Sequence, residues 1–310
     1  MKYIGIDIGG TKTAVVVGND KGEILKKTRF DTPKVNEALK NICDIIDAES
    51  DFCSIGISCG GPLDSKKGII QSPPNLPGWD DIHITDMLTK RYGVPAYLCN
   101  DANACALAEW KFGAGKGCDN MIFLTFGTGL GAGLILDGKL YEGTNGMAGE
   151  AGHIRLSPFG GVGYGKAGSF ESFCSGGGIA QLARTRALEL FQQGKKAAFC
   201  QNPDEINGIT AKTVAEYAVN GDSDALEIFR ICGEKLGEGL SVLVDILNPQ
   251  RIVIGSIFAR CEQLLRPHAQ RVMERECLAV SLGVCELVPA QLGESIGDMA
   301  ALAVAVSHIN

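Results

Sequence analysis

A short glycine-rich turn follows the first strand-like run of the chain and contains one lysine. It comprises Gly9, Gly10, Thr11 and Lys12, and Asp7 comes just before it. Backbone N–H groups that no side chain shields can form a concave site for phosphate oxygens, and Lys12 could neutralise phosphate charge. Asp7 is suited to hold Mg²⁺ through a bound water. A single turn of this kind is also typical of a plain β-hairpin. The other motifs of the chain are therefore needed to distinguish a phosphate site from a hairpin turn.

The same pattern recurs in the second half of the chain. Another apolar run is followed by a turn that contains Gly127, Thr128, Gly129 and Gly131. Neither turn leads into a helix, so neither is a Rossmann fingerprint or a Walker P-loop. Two such turns on facing domains could hold the phosphates of one nucleotide. The repeat of strand, glycine turn, strand, hairpin and strand is compatible with duplication or with two unrelated meanders.

A single carboxylate, Asp101, lies where an apolar run gives way to an alanine-rich helical pattern. Residues 94–99 predict a buried strand, and the segment after Asn100 predicts a helix. Asp101 could cap that helix. It could instead be a carboxylate at the carboxyl end of a strand, where open α/β sheets bind their ligands.

The elements that must position these residues alternate between strands and helices. Strands are predicted at 53–59 and 251–254, and helices at 34–48, 85–92 and 223–247. Residues 143–178 are glycine-rich and irregular, and a loop of that length is usually functional or disordered. A connector at 112–117 predicts a boundary, with residues 1–113 and a closing helix at 293–310 in one α/β domain. Residues 114–292 form the other.

Composition excludes some classes of protein. The net charge is −7 and no block of basic residues occurs, which argues against a nucleic-acid partner. The twelve cysteines are scattered without a Cys-x-x-Cys pair, as expected in a reducing cytosol. No apolar run approaches the roughly 20 residues of a membrane span, and no signal-peptide pattern is present. We therefore expect a cytoplasmic protein that binds no membrane.

The motifs, taken in order, resemble those of the ROK family (repressor, open reading frame, kinase). That resemblance implies an actin-like ATPase (ribonuclease H-like) α/β fold, with two βββαβα-type domains around a cleft for nucleotide and sugar. It covers the chain from residue 7 to about residue 180, with weaker agreement at Ile254-Gly255 and in the C-terminal helix. The matching segments are Asp7-Ile8-Gly9-Gly10-Thr11-Lys12, Asn75-Leu76-Pro77-Gly78-Trp79, Asn100-Asp101-Ala102-Asn103, Gly127-Thr128-Gly129-Leu130-Gly131-Ala132-Gly133, Gly149-Glu150-Ala151-Gly152-His153 and Glu171 with Ser175-Gly176.

The resemblance also implies roles for individual residues. Asp101 would be the general base that takes a proton from a sugar hydroxyl, and the two glycine turns with Gly255 would bind Mg-ATP. The sugar-binding set would be Gly61, Asn75, Asn100, Asp101, Glu150, His153 and Glu171. We expect a hexose phosphorylated at its 6-hydroxyl, with glucose first and N-acetylmannosamine, N-acetylglucosamine or fructose as alternatives. A non-catalytic sugar sensor is the other hypothesis.

The sequence departs from the family between His153 and Glu171. Most members carry three cysteines there, which hold a structural zinc together with the histidine. The corresponding positions here are Val162, Tyr164 and Ser169. Valine cannot ligate zinc, and tyrosine or serine rarely does, so we expect no structural zinc and a histidine kept for the sugar.

Two further expectations follow from the family resemblance. The phosphate strand begins at residue 3, which leaves no room before it for the helix-turn-helix of the family's repressors, so an enzyme is favoured. Closure on sugar is expected about hinges near 112–117 and 292–293, and the protein is expected to be a homo-oligomer, at least a dimer.

Overall fold

The computed structural model describes residues 1–307 as an α/β protein. The strands in chain order are β1 Lys2–Ile8, β2 Lys12–Asn19, β3 Ile24–Asp31, β4 Phe52–Cys59, β5 Leu63–Asp64, β6 Ile69–Ile70, β7 Ile82–His83, β8 Ala96–Asn100, β9 Met121–Phe126, β10 Leu130–Leu136, β11 Lys139–Tyr141, β12 Val162–Gly163, β13 Lys166–Ala167, β14 Arg251–Ile254 and β15 Glu286–Pro289. The α-helices are α1 Val35–Ile46, α2 Ile84–Tyr92, α3 Asp101–Phe112, α4 Phe170–Phe173, α5 Gly176–Gln192, α6 Ala211–Val219, α7 Ser223–Leu247, α8 Ile257–Arg260, α9 Glu262–Glu276, α10 Ala279–Leu282 and α11 Ile296–Ser307.

The first sheet has the strand order β3-β2-β1-β4-β8. Strands β1 and β2 are antiparallel, while β1, β4 and β8 are parallel. Ile8 pairs with Cys59, and Cys59 pairs with Asn100. The last residues of three parallel strands therefore lie side by side, at the edge where α/β sheets place their ligands.

Helices cover both faces of this sheet. Ile42, Ile46 and Leu88 of α1 and α2 join the buried core on one face. On the other face α11 packs against β1 and β4, and a Cβ on Gly5 would lie only 2.7 Å from the backbone nitrogen of Leu302. Because both faces are buried, the central strands are apolar along nearly their whole length. The strand ends are thus fixed by a closely packed core.

The second sheet repeats the arrangement of the first, with the order β11-β10-β9-β14-β15. Strands β10 and β11 form an antiparallel hairpin, and β14 pairs with β15 in parallel. The repeat noted in the sequence therefore corresponds to two sheets with the same order of strands.

The chain forms two compact units. Unit 1 contains residues 1–123, 133–148 and the segment from Gln291 onward, and unit 2 contains residues 124–132 and 149–290. Residues 133–148 belong to unit 1 because Gly133 packs closely on α3, where a Cβ would lie 2.5 Å from that of Ala106. The domain limits expected from the sequence, 1–113 with 293–310 and 114–292, stay a prediction.

Several short elements escape prediction from the sequence. A three-stranded sheet of β5, β6 and β7 follows the first long strands, and the glycine-rich segment at 143–178 contains the hairpin β12–β13 and the helix α4. Strands of two residues are too short to show a hydrophobic period. Among residues 1–307, no helix is both long enough and apolar enough to cross a membrane.

Candidate active site

Asn100 and Asp101 form the junction between β8 and α3. The side-chain oxygen of Asn100 accepts a hydrogen bond from the N–H of Ala102 at 3.0 Å, so Asn100 is the residue that caps the helix. Asp101 is the first helical residue, and its Oδ1 also accepts from Ala102, at 2.9 Å. The interpretation of Asp101 as the cap was therefore wrong, because its neighbour has that role.

Two glycines leave open space beside this junction. A Cβ on Gly61 would lie 3.6 Å from Asn100 Nδ2, and a Cβ on Gly60 would lie 4.0 Å from Asp101 Oδ2. These glycines follow β4, whose end lies next to the end of β8. Unit 1 thus brings Gly61, Asn100 and Asp101 together, with no side chain from the glycines above the carboxylate.

The first glycine turn is closed by its own backbone. Gly9 donates its N–H to the Lys12 carbonyl at 3.0 Å, and the Thr32 hydroxyl donates to the Gly9 carbonyl at 2.7 Å. Gly10 lies so close to Asn75 that a Cβ would clash with the Asn75 carbonyl. The turn predicted to bind phosphate and the loop predicted to bind sugar are therefore in contact within unit 1.

The other two residues of this turn face β3. The Thr11 carbonyl accepts from the N–H of Thr32 at 3.0 Å. Lys12 forms an ion pair with Asp31, its partner in the β2–β3 register. Both side chains of the pair are exposed, and exposed pairs are weak. Lys12 can therefore exchange Asp31 for a phosphate at little cost.

Asp7 near the end of β1 is a carboxyl in an unfavourable environment for its charge. Burial raises its pKa to about 6, and the carboxylates of Asp298 and Asp101 add to the shift, against the smaller opposing effects of Arg29 and Lys27. A polar cavity adjoins it, lined by Lys12, Lys27, Arg29, Glu294 and Asp298. A cation at Asp7 would favour the ionised form, so the donor chemistry fits Mg²⁺.

Asp101 also has a raised pKa. The side chain retains contact with solvent, but surrounding protein restricts its hydration and raises the pKa, while the Ala102 N–H lowers it. The nearby thiol of Cys59 stays neutral, because burial and the charges of Asp101 and Asp7 raise its pKa to about 12. Asp101 thus offers a carboxylate at this edge, while the neighbouring thiol of Cys59 stays neutral.

The second glycine turn is held from two sides. Gly127 donates its N–H to the Gly129 carbonyl at 3.0 Å and accepts from the N–H of Gly176 at 2.8 Å. The N–H of Gly131 donates to the hydroxyl of Thr125 at 2.9 Å. Thr128 lies exposed at the tip of the turn.

Glu171 joins this turn to the segment predicted to bind sugar. Its Oε2 accepts the N–H of Leu130 at 3.0 Å, and a Cβ on Gly129 would lie 2.6 Å from the same oxygen. Ser169 caps α4 by accepting from Ser172 at 3.3 Å, which places Glu171 in the first turn of that helix. Sequence reasoning missed this contact, because nothing local relates Leu130 to a carboxylate 41 residues away.

Glu150 and His153 lie on the 3₁₀ turn at Ala151–His153 and just before it. Glu150 Oε2 and His153 Nε2 are 3.9 Å apart, and both side chains are open to solvent. A Cβ on Gly152 would lie 3.3 Å from that of Glu171 and would clash with the Leu130 carbonyl. Unit 2 therefore gathers Glu150, His153 and Glu171 around the second turn.

Gly255 lies directly after β14, beside the second turn. Its N–H donates to the Leu124 carbonyl at 3.0 Å. The next residue, Ser256, has a φ of +57°, and its hydroxyl would lie 3.6 Å from a Cβ on Gly127. The predicted nucleotide residues Gly127 and Gly255 are thus neighbours within unit 2.

One buried polar atom near the junction of β8 and α3 was not assigned a role from the sequence. Asn103 is only 3% exposed, and its Oδ1 has no hydrogen-bond partner among residues 1–307. Asn103 is the last residue of the Asn100-Asp101-Ala102-Asn103 motif, and its place in that motif was the sequence feature that could have pointed to it.

The positions that hold zinc in most ROK proteins do not fit a zinc ion here. Val162 offers no donor, and the hydroxyl of Ser169 is used to cap α4. The ring of Tyr164 instead contacts that of His153. In the part of the chain that the structure describes, no group of three or more His, Cys, Asp or Glu side chains is arranged to hold a metal.

The fold and these motifs define a class of nucleotide-dependent enzymes with two similar sheets, each with a glycine turn. A ROK family glucokinase from Streptomyces griseus, solved with glucose and AMPPNP, has a TM-score of 0.74 at 31% identity over 99% of this chain and 100% of that one. The ROK hexokinase from Thermus thermophilus has a TM-score of 0.82 at 26% identity, with 100% and 99% covered. The actin-like ATPase fold is therefore confirmed.

Sequence comparison gives the family. A sequence model of the ROK family matches residues 3–307. The glucokinase of Halalkalibacterium halodurans is 34% identical over 86% of this chain and 84% of its own length. The chain belongs to the ROK family, as its motifs predicted.

Proposed function

We propose that this protein, a sugar kinase of the ROK family, transfers the γ-phosphoryl group of ATP to the 6-hydroxyl of a hexose, with Asp101 as general base. The observation behind the proposal is the edge of the first sheet, where Asp101 lies beside Asn100, Gly61 and the open space above Gly60. Similarity to kinases solved or named as glucokinases supports the reaction class.

The proposed step needs only one proton acceptor. Phosphoryl transfer depends on alignment and neutralisation of charge more than on covalent help, so a base has only to orient the hydroxyl and take its proton. Burial raises the pKa of Asp101, which makes its carboxylate a better base than that of an ordinary aspartate. Asn100 caps α3 with its oxygen, which leaves its amide group to donate to the sugar.

The two glycine turns would bind the phosphates of ATP. Asp7 would hold Mg²⁺ through water, and that ion would neutralise phosphate charge when bound. Lys12 would leave Asp31 for a phosphate oxygen, since the exposed pair is weak. Gly255 would lie toward the adenosine end, as the family resemblance implies.

The sugar would be bound by side chains on loops. Asn75, Glu150, His153 and Glu171 can each donate or accept hydrogen bonds in defined directions, so an epimer that leaves one unpaired is rejected. Glucose is the first candidate, because the relatives compared above include glucokinases. N-acetylmannosamine, N-acetylglucosamine and fructose are the alternatives. A homodimer in solution belongs to the same proposal and is tested by light scattering after gel filtration.

An ATP-coupled assay over these four sugars tests the proposal. Phosphorylation of one hexose with a clear preference is expected, and the product is identified as the 6-phosphate by NMR. Folded protein that turns over none of them would contradict it. Titration calorimetry with AMPPNP then distinguishes the kinase from the sensor hypothesis, because a non-catalytic sensor would bind sugar and not the nucleotide.

A further inference from the structure

A two-stranded hairpin in unit 2 has an unusual residue at its tip. Strands β12 and β13 pair Val162 with Ala167 and Gly163 with Lys166, which leaves Tyr164 and Gly165 as a two-residue turn. Their φ angles are +44° and +75°. A turn with two positive φ values is of type I′, for which asparagine, aspartate and glycine are preferred. A tyrosine with a positive φ is conformationally strained, and the turn itself provides no backbone interaction that requires a tyrosine there.

The tyrosine ring contacts the histidine proposed to bind sugar. The ring of Tyr164 meets the imidazole of His153 edge to face, with centroids 5.3 Å apart and planes at 87°. Tyr164 is otherwise 84% exposed, so the contact is not part of a buried core. Lys166, on the other strand of the hairpin, donates from Nζ to the carbonyl of His153. The hairpin therefore touches His153 at its ring and at its backbone.

The same hairpin is fixed to the body of unit 2 and touches Glu171. Gln181 of α5 accepts from the N–H of Val162 at 2.8 Å and donates to its carbonyl at 2.9 Å. Arg155 donates to the Ala167 carbonyl at 2.6 Å. A Cβ on Gly163 would lie 3.0 Å from Glu171 Oε1. An anchored hairpin can hold a neighbouring side chain in one orientation, which a mobile loop cannot do.

We propose that Tyr164 and Lys166 are positioning residues that orient His153 for the sugar. The hairpin would then restrain His153 without the structural zinc ion that the family resemblance implies for this segment. The inference rests on the proposed function, because His153 is taken as a sugar ligand. Val162, Tyr164 and Ser169 provide no zinc site, and the ring contact and the Lys166 bond supply the restraint on His153 instead. The contact between the Tyr164 ring and His153 would offset the conformational strain of the turn.

Kinetics of full-length variants test the inference. Tyr164→Asn places a residue that the turn prefers, so the melting temperature should stay or rise, while the KM for the hexose rises about tenfold and that for ATP stays unchanged. Tyr164→Phe keeps the ring and should match the native protein. Lys166→Met should raise the KM for the hexose by a smaller factor. Phe159→Asn changes another aromatic of the same segment, 82% exposed, and should change nothing.

Three results would overturn it: an unchanged hexose KM in Tyr164→Asn, a fall in its melting temperature with both KM values altered together, or an equal effect of Phe159→Asn. Protein stripped with a zinc chelator and returned to Mg²⁺ alone should bind and turn over hexose as before. A loss of hexose binding or turnover that only added zinc restores would equally contradict the inference.

A spectroscopic measurement separates this inference from the kinase proposal. The chain has four histidines, so the ring signals of ¹³C-labelled histidine are readily assigned by substitution. The His153 signal should shift in Tyr164→Asn and not in Phe159→Asn, whether or not any sugar is phosphorylated. An unshifted signal defeats the ring contact itself. A shifted signal in a protein that binds no hexose defeats the proposed function and, with it, the role of the contact.

Discussion

The carboxylates of the two units differ in how they are held. Asp7 and Asp101 of unit 1 lie near the ends of strands whose sheet is covered on both faces, and both have raised pKa values. Glu150 and Glu171 of unit 2 lie on a 3₁₀ turn and on a four-residue helix. Glu150 has a side chain 53% exposed. On the proposed function, the chemistry would fall to carboxylates near strand ends, and much of the sugar recognition to carboxylates on loops.

This division follows from what each task requires. Proton transfer and metal binding need atoms fixed to within a fraction of an ångström, which strand ends in a packed core provide. A sugar presents many hydroxyls, and loops can vary to match them without disturbing the core. The comparison predicts that changes at the strand ends reduce kcat, while changes in the loops alter the KM for the hexose.

Asp101→Asn should have the largest effect. The amide keeps the shape and the bond to Ala102 but cannot accept the proton, so we expect kcat to fall about 10³-fold. The Kd for the hexose, from calorimetry, should change by less than about threefold. Asp20→Asn, on an exposed turn, is the matched control and should leave both unchanged. A variant that retained a tenth of the native kcat would remove Asp101 from the role of base.

Asp7→Asn should reduce kcat by about 10²-fold, because a neutral amide is a poor partner for Mg²⁺. In the native enzyme, the kcat/KM for Mg-ATP should fall as the pH drops through about 6, where Asp7 takes up a proton. The acid limb should be absent or displaced in Asp7→Asn. An identical acid limb in both proteins would assign it to another group.

The same substitution should stabilise the metal-free fold. Because the folded-state pKa of about 6 lies above the ordinary value of 3.8, folding favours protonated Asp7. That contribution is full below about 3.8 and is lost as the pH rises through about 6. Asp7→Asn should therefore be more stable than the native protein by on the order of 2 kcal/mol at pH 8. Urea unfolding in EDTA at pH 4 and pH 8 measures the difference, and a gap that is the same at both values would refute the cause.

The strand-end site could be predicted from the sequence because its signals are local. An apolar run before Asn100 and a helical pattern after it suffice to place Asp101 at the end of a strand. Sequence reasoning considered only Asp101 as a possible cap, and Asn100 has that role; asparagine and aspartate cap helices equally well, so the sequence alone does not separate them. The repeated order of strands likewise followed from a repeated pattern of turns.

The loop site could be predicted only as a set of residues. The contact of Glu171 with Leu130 depends on tertiary packing that leaves no local pattern. The hairpin at Tyr164 goes against turn preference, so sequence reasoning predicted an irregular segment there. Segments held by long-range contacts are the ones that propensity describes least well.

Substitution of Glu171 tests whether this loop carboxylate contributes to the binding of the hexose alone or of ATP as well. Glu171→Ala removes the acceptor for the Leu130 N–H, so we expect the KM for both hexose and ATP to rise, each about tenfold. Glu171→Gln retains one acceptor oxygen and should affect mainly the hexose. Steady-state kinetics with each substrate varied separate the two effects. If Glu171→Ala changed only the hexose KM, the contact with the second turn would have no part in binding ATP.

Glu150 should have the smallest effect of the four carboxylates. Its side chain is open to water and lies 3.9 Å from His153, so a sugar hydroxyl would replace water that already satisfies it. The net value of such a bond is about 1 kcal/mol, and Glu150→Gln should raise the hexose KM about fivefold with kcat nearly unchanged. Because the amide still accepts one hydrogen bond, hexoses that differ at a single hydroxyl should be affected unequally. A loss of kcat comparable to that of Asp101→Asn would place chemistry on the loops and end the distinction between the two units.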